Sequence, residues 1–172
     1  MVLLLNRNTK CATRDYRKVR RLKLSTKGRY GVKALFELAI QQGTGPVSLK
    51  TIAERQGLSE HYLEQLVAPL RKAGLVTSVR GAQGGYVLSR APEEITVGDI
   101  IRVLEGPIGI TDCASEDCAK LEHCGKADPC LARGVWEKVR DSIVSVVDSI
   151  SLADLVKEAR EEQEKQNFMY HI

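Results

Sequence analysis

The chain has 172 residues, of which 43% are apolar, 28% charged and 5% aromatic. These proportions are typical of a globular domain with an aliphatic core; they exclude wholesale disorder, and no apolar run approaches the roughly 18 residues of a membrane span. The net charge of +4 combines +7 on residues 1–23, +5 on residues 24–90 and −8 on residues 91–172. Either the basic half binds a polyanion, or the charge is a solvated distribution without a partner.

Residues 1–21 are basic and lack apolar periodicity, so no element is predicted there. Two helices follow, indicated by apolar residues at helical spacing. The first begins near Ser25 and is ended by the turn at residues 43–46. The second begins after Ser48, a typical N-cap residue, and stops at Gly57, which can adopt the left-handed conformation.

A third helix and a hairpin come next. Ser59 can cap the third helix, and Pro69 lies inside it, where we expect a distortion. Two short alternating runs, residues 75–80 and 86–90, flank the glycine-rich residues 81–85, which predicts a β-hairpin. Three helices followed by a hairpin is the order of a winged helix-turn-helix.

The C-terminal half is predicted to hold three more helices around one long loop. A short helix covers residues 95–104, and residues 108–132 form a loop of a length that is typical of functional segments. A long helix follows, with a narrow apolar stripe suited to pairing with another helix. The stripe consists of Trp136, Val139, Ile143, Val146, Val147 and Ile150. Ser151 can cap a last helix over residues 152–166, and residues 167–172 are interpreted as a tail.

The third helix and the hairpin carry the residues suited to DNA. In a helix-turn-helix, the N-terminal part of this helix enters the major groove, where Glu64 can accept from cytosine N4 and Gln65 can pair with adenine. The alternative is an ordinary polar surface. Arg80 in the wing suits a narrow minor groove. The candidate DNA-contacting residues are Lys27, Arg29, Lys50, Ser59, His61, Tyr62, Glu64, Gln65, Arg80 and Gln83.

Four of the five cysteines lie close together in the long loop. They are Cys113, Cys118, Cys124 and Cys130, separated by four, five and five residues. A secreted disulfide scaffold would spread its pairs through the fold, and the N-terminus has no signal-peptide core, so we expect reduced thiols in the cytoplasm. Thiolates on a loop suit an iron–sulfur cluster, whose fourth ligand is Cys113, His123, a partner residue or a small molecule. Structural zinc, thiol–disulfide switching and free thiols are the alternatives.

Three motifs resemble those of the Rrf2 superfamily of bacterial transcriptional regulators, which includes IscR, NsrR, RirA and CymR types. They are KLSTKGRYG at residues 23–31, SEHYLEQL at residues 59–66 and VRGAQGGY at residues 79–86. The resemblance implies a homodimeric winged-helix repressor or activator that dimerises through its long C-terminal helix. Many members sense iron, nitric oxide or redox state through an iron–sulfur cluster. Members start at a Met that corresponds to Leu22, so we expect residues 1–21 to be a non-native or disordered extension and Cys11 to be incidental.

The resemblance also assigns ligands and base contacts. Cys118, Cys124 and Cys130 match the three cluster cysteines of the IscR type. The IscR-type histidine ligand corresponds to Arg133 here, and the acidic ligand of the NsrR type corresponds to Arg29. Cys113 is therefore the expected fourth ligand, with His123 as the second choice. Glu64 matches the base-contacting glutamate of the IscR type, and Arg80 matches the wing arginine.

A second type within the superfamily gives a different prediction. Residues 23–110 and the tail also resemble CymR, a cysteine-metabolism repressor without a cluster that binds O-acetylserine sulfhydrylase. The aromatic tail ending in Ile172 is then a candidate docking peptide, and a frayed end is the alternative.

The sequence thus predicts a mostly α fold with a small β-hairpin wing and a long C-terminal dimerisation helix. The predicted parts are an extension (1–21), a winged helix-turn-helix domain (22–106), a cysteine loop (107–133), dimerisation helices (134–166) and a tail (167–172). The predicted function is DNA-binding regulation set by an iron–sulfur cluster, 2Fe–2S rather than 4Fe–4S, with zinc or no metal as alternatives. An enzyme is not predicted, because a nucleophile elbow and a phosphate loop are both lacking. The predicted partners are duplex DNA, a second copy of the chain and, in the CymR-type alternative, the sulfhydrylase. No membrane partner is predicted.

Overall fold

The computed structural model describes residues 24–81, 83–117 and 130–169. These residues form six α-helices, one antiparallel hairpin and two short 3-10 turns. The elements are α1 (Thr26–Ile40), α2 (Leu49–Gln56), α3 (Glu60–Lys72), β1 (Val76–Val79), β2 (Gly85–Leu88), a 3-10 turn (Pro92–Glu94), α4 (Val97–Glu105), a second 3-10 turn (Asp112–Ala114), α5 (Leu131–Ser149) and α6 (Leu152–Met169). The predicted mostly helical winged helix-turn-helix is confirmed.

Local capping sets where the first three helices begin and end. The hydroxyl oxygens of Ser25, Ser48 and Ser59 each accept a backbone N–H of the first helical turn, at 3.0 to 3.2 Å. Gly57, with φ of 64°, ends α2 in the left-handed conformation, as predicted. α3 continues through Pro69 for three more residues.

The wing is attached to the start of the helix-turn-helix unit. β1 and β2 pair in antiparallel register, with Val76 opposite Leu88. Val47, just before α2, exchanges two backbone hydrogen bonds with Tyr86 at 3.0 and 2.8 Å. A Cβ atom at Gly85 would lie 2.4 Å from the Val47 carbonyl oxygen, so this close approach requires glycine. The wing therefore has a fixed position relative to α2.

An aliphatic core holds the helices together. Its largest side chains with less than 2% exposure are Leu35, Ile52, Leu63, Leu66, Val67, Leu70, Leu75, Val76, Ile95, Ile100 and Leu152. They come from α1, α2, α3, α4, the wing and α6, so one core supports both the DNA-binding elements and the last helix. Full burial of each such aliphatic side chain contributes about 1.5 to 3 kcal/mol.

The start of α6 is joined to the start of α4 by backbone pairing. Leu152 donates its N–H to the Ile95 carbonyl at 2.9 Å, and Val97 donates to the Ile150 carbonyl at 2.9 Å. The side chain of Leu152 is fully buried. α6 is thereby packed on the winged-helix domain, and its N-terminus lies directly after α5.

Several element boundaries differ from the sequence predictions. The strands cover Val76–Val79 and Gly85–Leu88 instead of residues 75–80 and 86–90. α4 begins at Val97 instead of residue 95, because Thr96 and Asp99 form a capping box with two hydrogen bonds of 3.1 Å. α5 begins at Leu131, three residues before the predicted boundary at residue 134. α6 continues to Met169, three residues into the predicted tail. Among the described helices, none has the length and apolar composition needed to cross a bilayer.

Candidate nucleic-acid interface and cysteine segment

The exposed face of α3 carries a row of polar side chains. His61 is 81% exposed and Glu64 is 64% exposed, with 3.8 Å between His61 Nδ1 and Glu64 Oε2. Gln65 Nε2 lies 3.1 Å from His61 Nε2. The opposite face of α3 is buried through Leu63 and Leu66. Three of the predicted DNA-contacting side chains therefore form one accessible polar group on α3.

Two predicted DNA contacts at the start of α3, Ser59 and Tyr62, have a different environment. Ser59 is the N-cap, and its hydroxyl oxygen accepts the Tyr62 N–H at 3.2 Å. The Tyr62 ring packs edge-on against Tyr30, with 6.0 Å between centroids. The Tyr62 hydroxyl oxygen is buried and makes no hydrogen bond to any residue that the structure describes. Tyr62 therefore packs α3 against α1 instead of presenting its hydroxyl to a groove.

The wing tip exposes two predicted contacts. Arg80 and Gln83 are both exposed. Gly81 has φ of 124°, and a Cβ atom at Gly84 would lie 2.5 Å from the Val79 carbonyl oxygen, so the tip requires glycine at both positions. This tight tip holds Arg80 at the end of β1, where it extends into solvent.

Three of the predicted DNA contacts lie around α1 and α2. Lys27, Arg29 and Lys50 are exposed, and within the described residues none of them makes an ion pair. The start of α1 is fixed by Glu105 of α4, which accepts the Gly28 N–H at 3.0 Å and the Ser25 hydroxyl. The first two cations are thus carried on an anchored helix terminus.

A buried carboxylate orients α2 against α1. Glu37 is only 8% exposed, and it accepts hydrogen bonds from Arg55 at 3.0 Å and from Gln56 at 2.9 Å. These bonds satisfy both carboxylate oxygens, as burial of a charge requires. The sequence analysis did not identify this hydrogen-bonded group, although a glutamate between the core positions Leu35 and Leu38 was a usable signal.

Two of the predicted cluster ligands lie within the described residues. Cys113 is half-buried in the second 3-10 turn, with its Sγ 3.3 Å from Thr111 Oγ1. Cys130 is exposed at the N-cap of α5. Both are free thiols. The other candidates, Cys118, Cys124 and His123, lie outside the described residues.

The donor set is compatible with a sulfur-preferring metal group. Within residues 24–81, 83–117 and 130–169, no three His, Cys, Asp or Glu side chains gather into a group that could hold a metal. Cys113 and Cys130 flank the undescribed part of the loop on either side. A complete set would therefore need thiolates from that part, and four thiolates match the ligand preference of iron–sulfur clusters and of zinc.

Arg102 of α4 connects the cysteine segment to the end of α5. Its guanidinium donates to Glu116 at 2.7, 3.0 and 3.1 Å and to Asp148 at 2.6 and 2.8 Å. The hydrogen bonds that Arg102 donates, first to Asp148 and then to Glu116, raise its pKa above the usual value of an arginine. Burial opposes ionisation of Glu116, but the bonds from Arg102 and the Ile108 N–H outweigh it and lower its pKa. We call Arg102, Glu116 and Asp148 the Arg102 cluster; its partners are too distant in sequence for pattern analysis to pair them.

α5 exposes apolar side chains along its length. Leu131 is 93% exposed, Val135 55%, Trp136 39%, Val139 39% and Val146 57%. No residue of α5 is buried. Trp136, Val139 and Val146 belong to the predicted stripe, whose other members Ile143, Val147 and Ile150 are half-buried. Exposed apolar side chains along one helix indicate an interaction surface.

Comparison with known proteins identifies the class to which this fold and interface belong. The model of the Rrf2 family, described as an iron-dependent transcriptional regulator, matches residues 24–158. The chain belongs to the Rrf2 family and is a DNA-binding transcriptional regulator. The predicted superfamily is thus confirmed.

The relatives of this chain include both types considered from the sequence. It is 51% identical over 152 residues to the HTH-type transcriptional regulator CymR of Bacillus subtilis (strain 168), covering 88% of this chain and all of CymR. It is 42% identical over 148 residues to the regulator IscR of Aliivibrio salmonicida (strain LFI1238), covering 85% of each. A solved structure of T. potens IscR is 58% identical, with a TM-score of 0.69 and coverage of 87% of this chain and 96% of that one. These relatives are named as transcriptional regulators, not enzymes, as predicted.

Proposed function

We propose that this chain is a cytoplasmic homodimeric regulator whose affinity for its operator is set by an iron–sulfur cluster on the cysteine loop. The observation that supports the DNA-binding mode is the exposed polar row on α3, together with the exposed arginine of the wing. His61, Glu64 and Gln65 then face base edges in the major groove, and Arg80 enters the adjacent minor groove. Lys27, Arg29 and Lys50 bind phosphates, which adds affinity without sequence preference.

Two substitutions test this interface with DNA duplexes selected from a random library by the wild-type chain. Arg80→Ala should weaken binding to all duplexes and reduce the slope of log affinity against log salt by about 1. Glu64→Ala should lose discrimination at one cytosine, by about 5- to 150-fold. Arg160→Ala and Glu164→Ala, at exposed positions of α6, are the matched controls. Unchanged binding by both interface variants would contradict the proposed mode.

The proposed dimerisation is supported by the exposed apolar side chains of α5. A second copy packed against this face would remove Val135, Val139 and Val146 from water. Paired α5 helices would then carry two recognition helices, one on each half-site, with their separation set by the dimer.

The cluster part of the proposal is supported by the thiol content of one loop and by the similarity to IscR. Cys118, Cys124 and Cys130 are the proposed ligands, with Cys113 as the fourth and His123 as its substitute. A 2Fe–2S cluster is proposed ahead of a 4Fe–4S cluster or zinc. Such a group would supply redox or iron-dependent chemistry, while Cys113 and Cys130 would tie it to the winged helix and to α5.

Anaerobic purification tests the cluster directly. The wild-type protein should absorb near 400 nm and above, with equal amounts of iron and acid-labile sulfide. Cys124→Ala should lose the absorption, whereas Cys11→Ala, which removes a thiol elsewhere, should keep it. A colourless wild-type protein, still colourless after reconstitution, would contradict the cluster proposal.

The second candidate function is a CymR-type regulator without a cluster, and the 51% identity across the whole of CymR favours it. In this case the signal is thiol oxidation in the loop or binding of O-acetylserine sulfhydrylase to the tail. The tail test compares capture of the purified sulfhydrylase by wild-type protein and by a variant lacking residues 170–172. Loss of capture only in the truncated protein supports this candidate, and no capture by wild type removes the sulfhydrylase as the partner.

A further inference from the structure

We propose that Arg102 is a positioning residue that transmits the state of the cysteine loop to α4 and α5. This inference rests on the proposed function, because it needs a signal at the loop. It names a residue outside the DNA interface and outside the predicted ligands.

The segment that carries Cys113 is closed at its base by Glu116. The Glu116 carboxylate accepts the Ile108 N–H at 2.8 Å, and the Glu116 N–H donates to the Ile108 carbonyl at 3.0 Å. Gly109 and Ser115 form a bridge between these ends. Residues 108–116 are thus a small closed loop, with Cys113 between its two ends.

A single guanidinium holds this closed loop to two helices. Arg102 extends from α4 and binds Glu116 of the loop and Asp148 of α5 through five hydrogen bonds. Its side chain is 29% exposed, with Glu116 at 24% and Asp148 at 39%. Only arginine has a planar fork with enough donors for both carboxylates, so lysine cannot reproduce the arrangement.

The Arg102 cluster and the closed loop are packed so closely that their side chains have little room to move. A Cβ atom at Gly98 would lie 1.9 Å from Asp148 Oδ1 and 2.7 Å from Arg102 Nη1. A Cβ atom at Gly109 would lie 2.8 Å from the Ser115 Cα. Both glycines are therefore required by the arrangement, since any side chain would displace the carboxylate or open the loop.

α5 contacts the closed loop at a second point. Arg140 donates to the Ser115 carbonyl at 3.3 Å, eight residues before Asp148 and so about 12 Å along the helix. Two contacts at this separation fix both the position and the direction of α5 relative to the loop. A displacement of the loop by its thiol chemistry would therefore tilt α5 against α4, which changes the spacing of two recognition helices in a dimer.

The test compares operator affinity with and without a reconstituted iron–sulfur cluster. The proteins compared are wild type, Arg102→Gln, Arg102→Lys and Asp148→Asn. In wild type we expect a difference of about 5- to 150-fold between the two states. In Arg102→Gln the difference should fall below about twofold, at the same iron content per chain. Arg102→Lys should retain part of the difference, and Arg160→Gln on α6 is the matched control. A full wild-type difference in Arg102→Gln and Asp148→Asn overturns the inference.

Hydrogen exchange separates failure of the inference from failure of the proposed function. Amides of residues 106–117 should exchange at least tenfold faster in Arg102→Gln than in wild type, while those of α3 should be unchanged. If this segment exchanges at the same rate in Arg102→Gln and in wild type, the Arg102 cluster does not hold it in place. That result overturns the inference, whatever signal the loop senses. If exchange changes but the wild-type protein binds its operator equally well with and without the iron–sulfur cluster, the loop is not coupled to DNA binding. The proposed function then fails together with the inference.

Discussion

Gly85→Ala is expected to detach the wing from the helix-turn-helix unit. The added Cβ atom would lie 2.4 Å from the carbonyl oxygen of Val47 and 2.6 Å from its carbonyl carbon. Both are backbone atoms, so no side-chain rotation relieves the overlap. β2 must therefore move away from Val47 by about 1 Å to reach ordinary van der Waals distance.

The expected cost follows from the hydrogen bonds that this movement breaks. Val47 and Tyr86 exchange two backbone bonds at 3.0 and 2.8 Å, and a shift of about 1 Å takes both beyond hydrogen-bonding distance. At a net contribution of about 1 kcal/mol each, the free energy of unfolding should fall by about 2 kcal/mol. DNA affinity should fall as well, because Arg80 loses its fixed position.

Urea unfolding followed by circular dichroism measures the stability, and fluorescence anisotropy with a selected duplex measures the affinity. Gly134→Ala is the matched control, because it makes the same change in α5, where the described residues place no side chain or packed segment within 4 Å of the new Cβ. Alanine should there stabilise the helix by roughly 0.5 to 1 kcal/mol. A stability within about 0.5 kcal/mol of wild type for Gly85→Ala, together with unchanged affinity, would refute the reasoning.

Three further predictions concern other parts of the molecule. Glu37→Gln should lower the free energy of unfolding by about 1 to 2 kcal/mol, because an amide group replaces the oxygen that accepts from the half-exposed Arg55. Urea unfolding measures this loss, and an equally large loss in the control variant Arg160→Gln would contradict the reasoning. Val146→Asp should convert the dimer to monomer in sedimentation velocity, because it would bury an unpaired charge between the two chains. The chain should stay folded, because Val146 is 57% exposed in one chain; a persistent dimer would exclude this face of α5 as the dimer interface. The bond from Arg102 lowers the pKa of Asp148, so its stabilising effect should be present above the unfolded pKa near 3.8 and lost as pH falls through the lower folded value. The stability difference between wild type and Asp148→Asn should accordingly vanish on acidification, and a constant difference in urea midpoint would contradict it.

Features with short-range causes were predictable from the sequence. Ser48 and Ser59 cap the helices that follow them, and Gly57 ends α2, because capping depends on residues within one turn. The wing was visible from two alternating runs around glycines. The apolar stripe of α5 was visible from helical spacing, and three of its members, Trp136, Val139 and Val146, are exposed in a single chain.

Features set by long-range packing were not predictable. Arg102 lies 14 residues from Glu116 and 46 residues from Asp148, so only the folded chain shows that one guanidinium serves both carboxylates. The burial of the Tyr62 hydroxyl likewise depends on how α3 packs against α1. The ligand set remains a prediction from spacing and resemblance, because Cys118 and Cys124 lie outside the described residues.

The central claim is that the state of the cysteine loop sets operator affinity. The most direct measurement is the equilibrium affinity of anaerobic wild-type protein for one selected duplex, with the cluster reconstituted and after its removal, at fixed salt. We predict that the two dissociation constants differ by about 5- to 150-fold. Equal constants, in a protein shown by iron and sulfide content to be loaded in one sample and empty in the other, would contradict the claim.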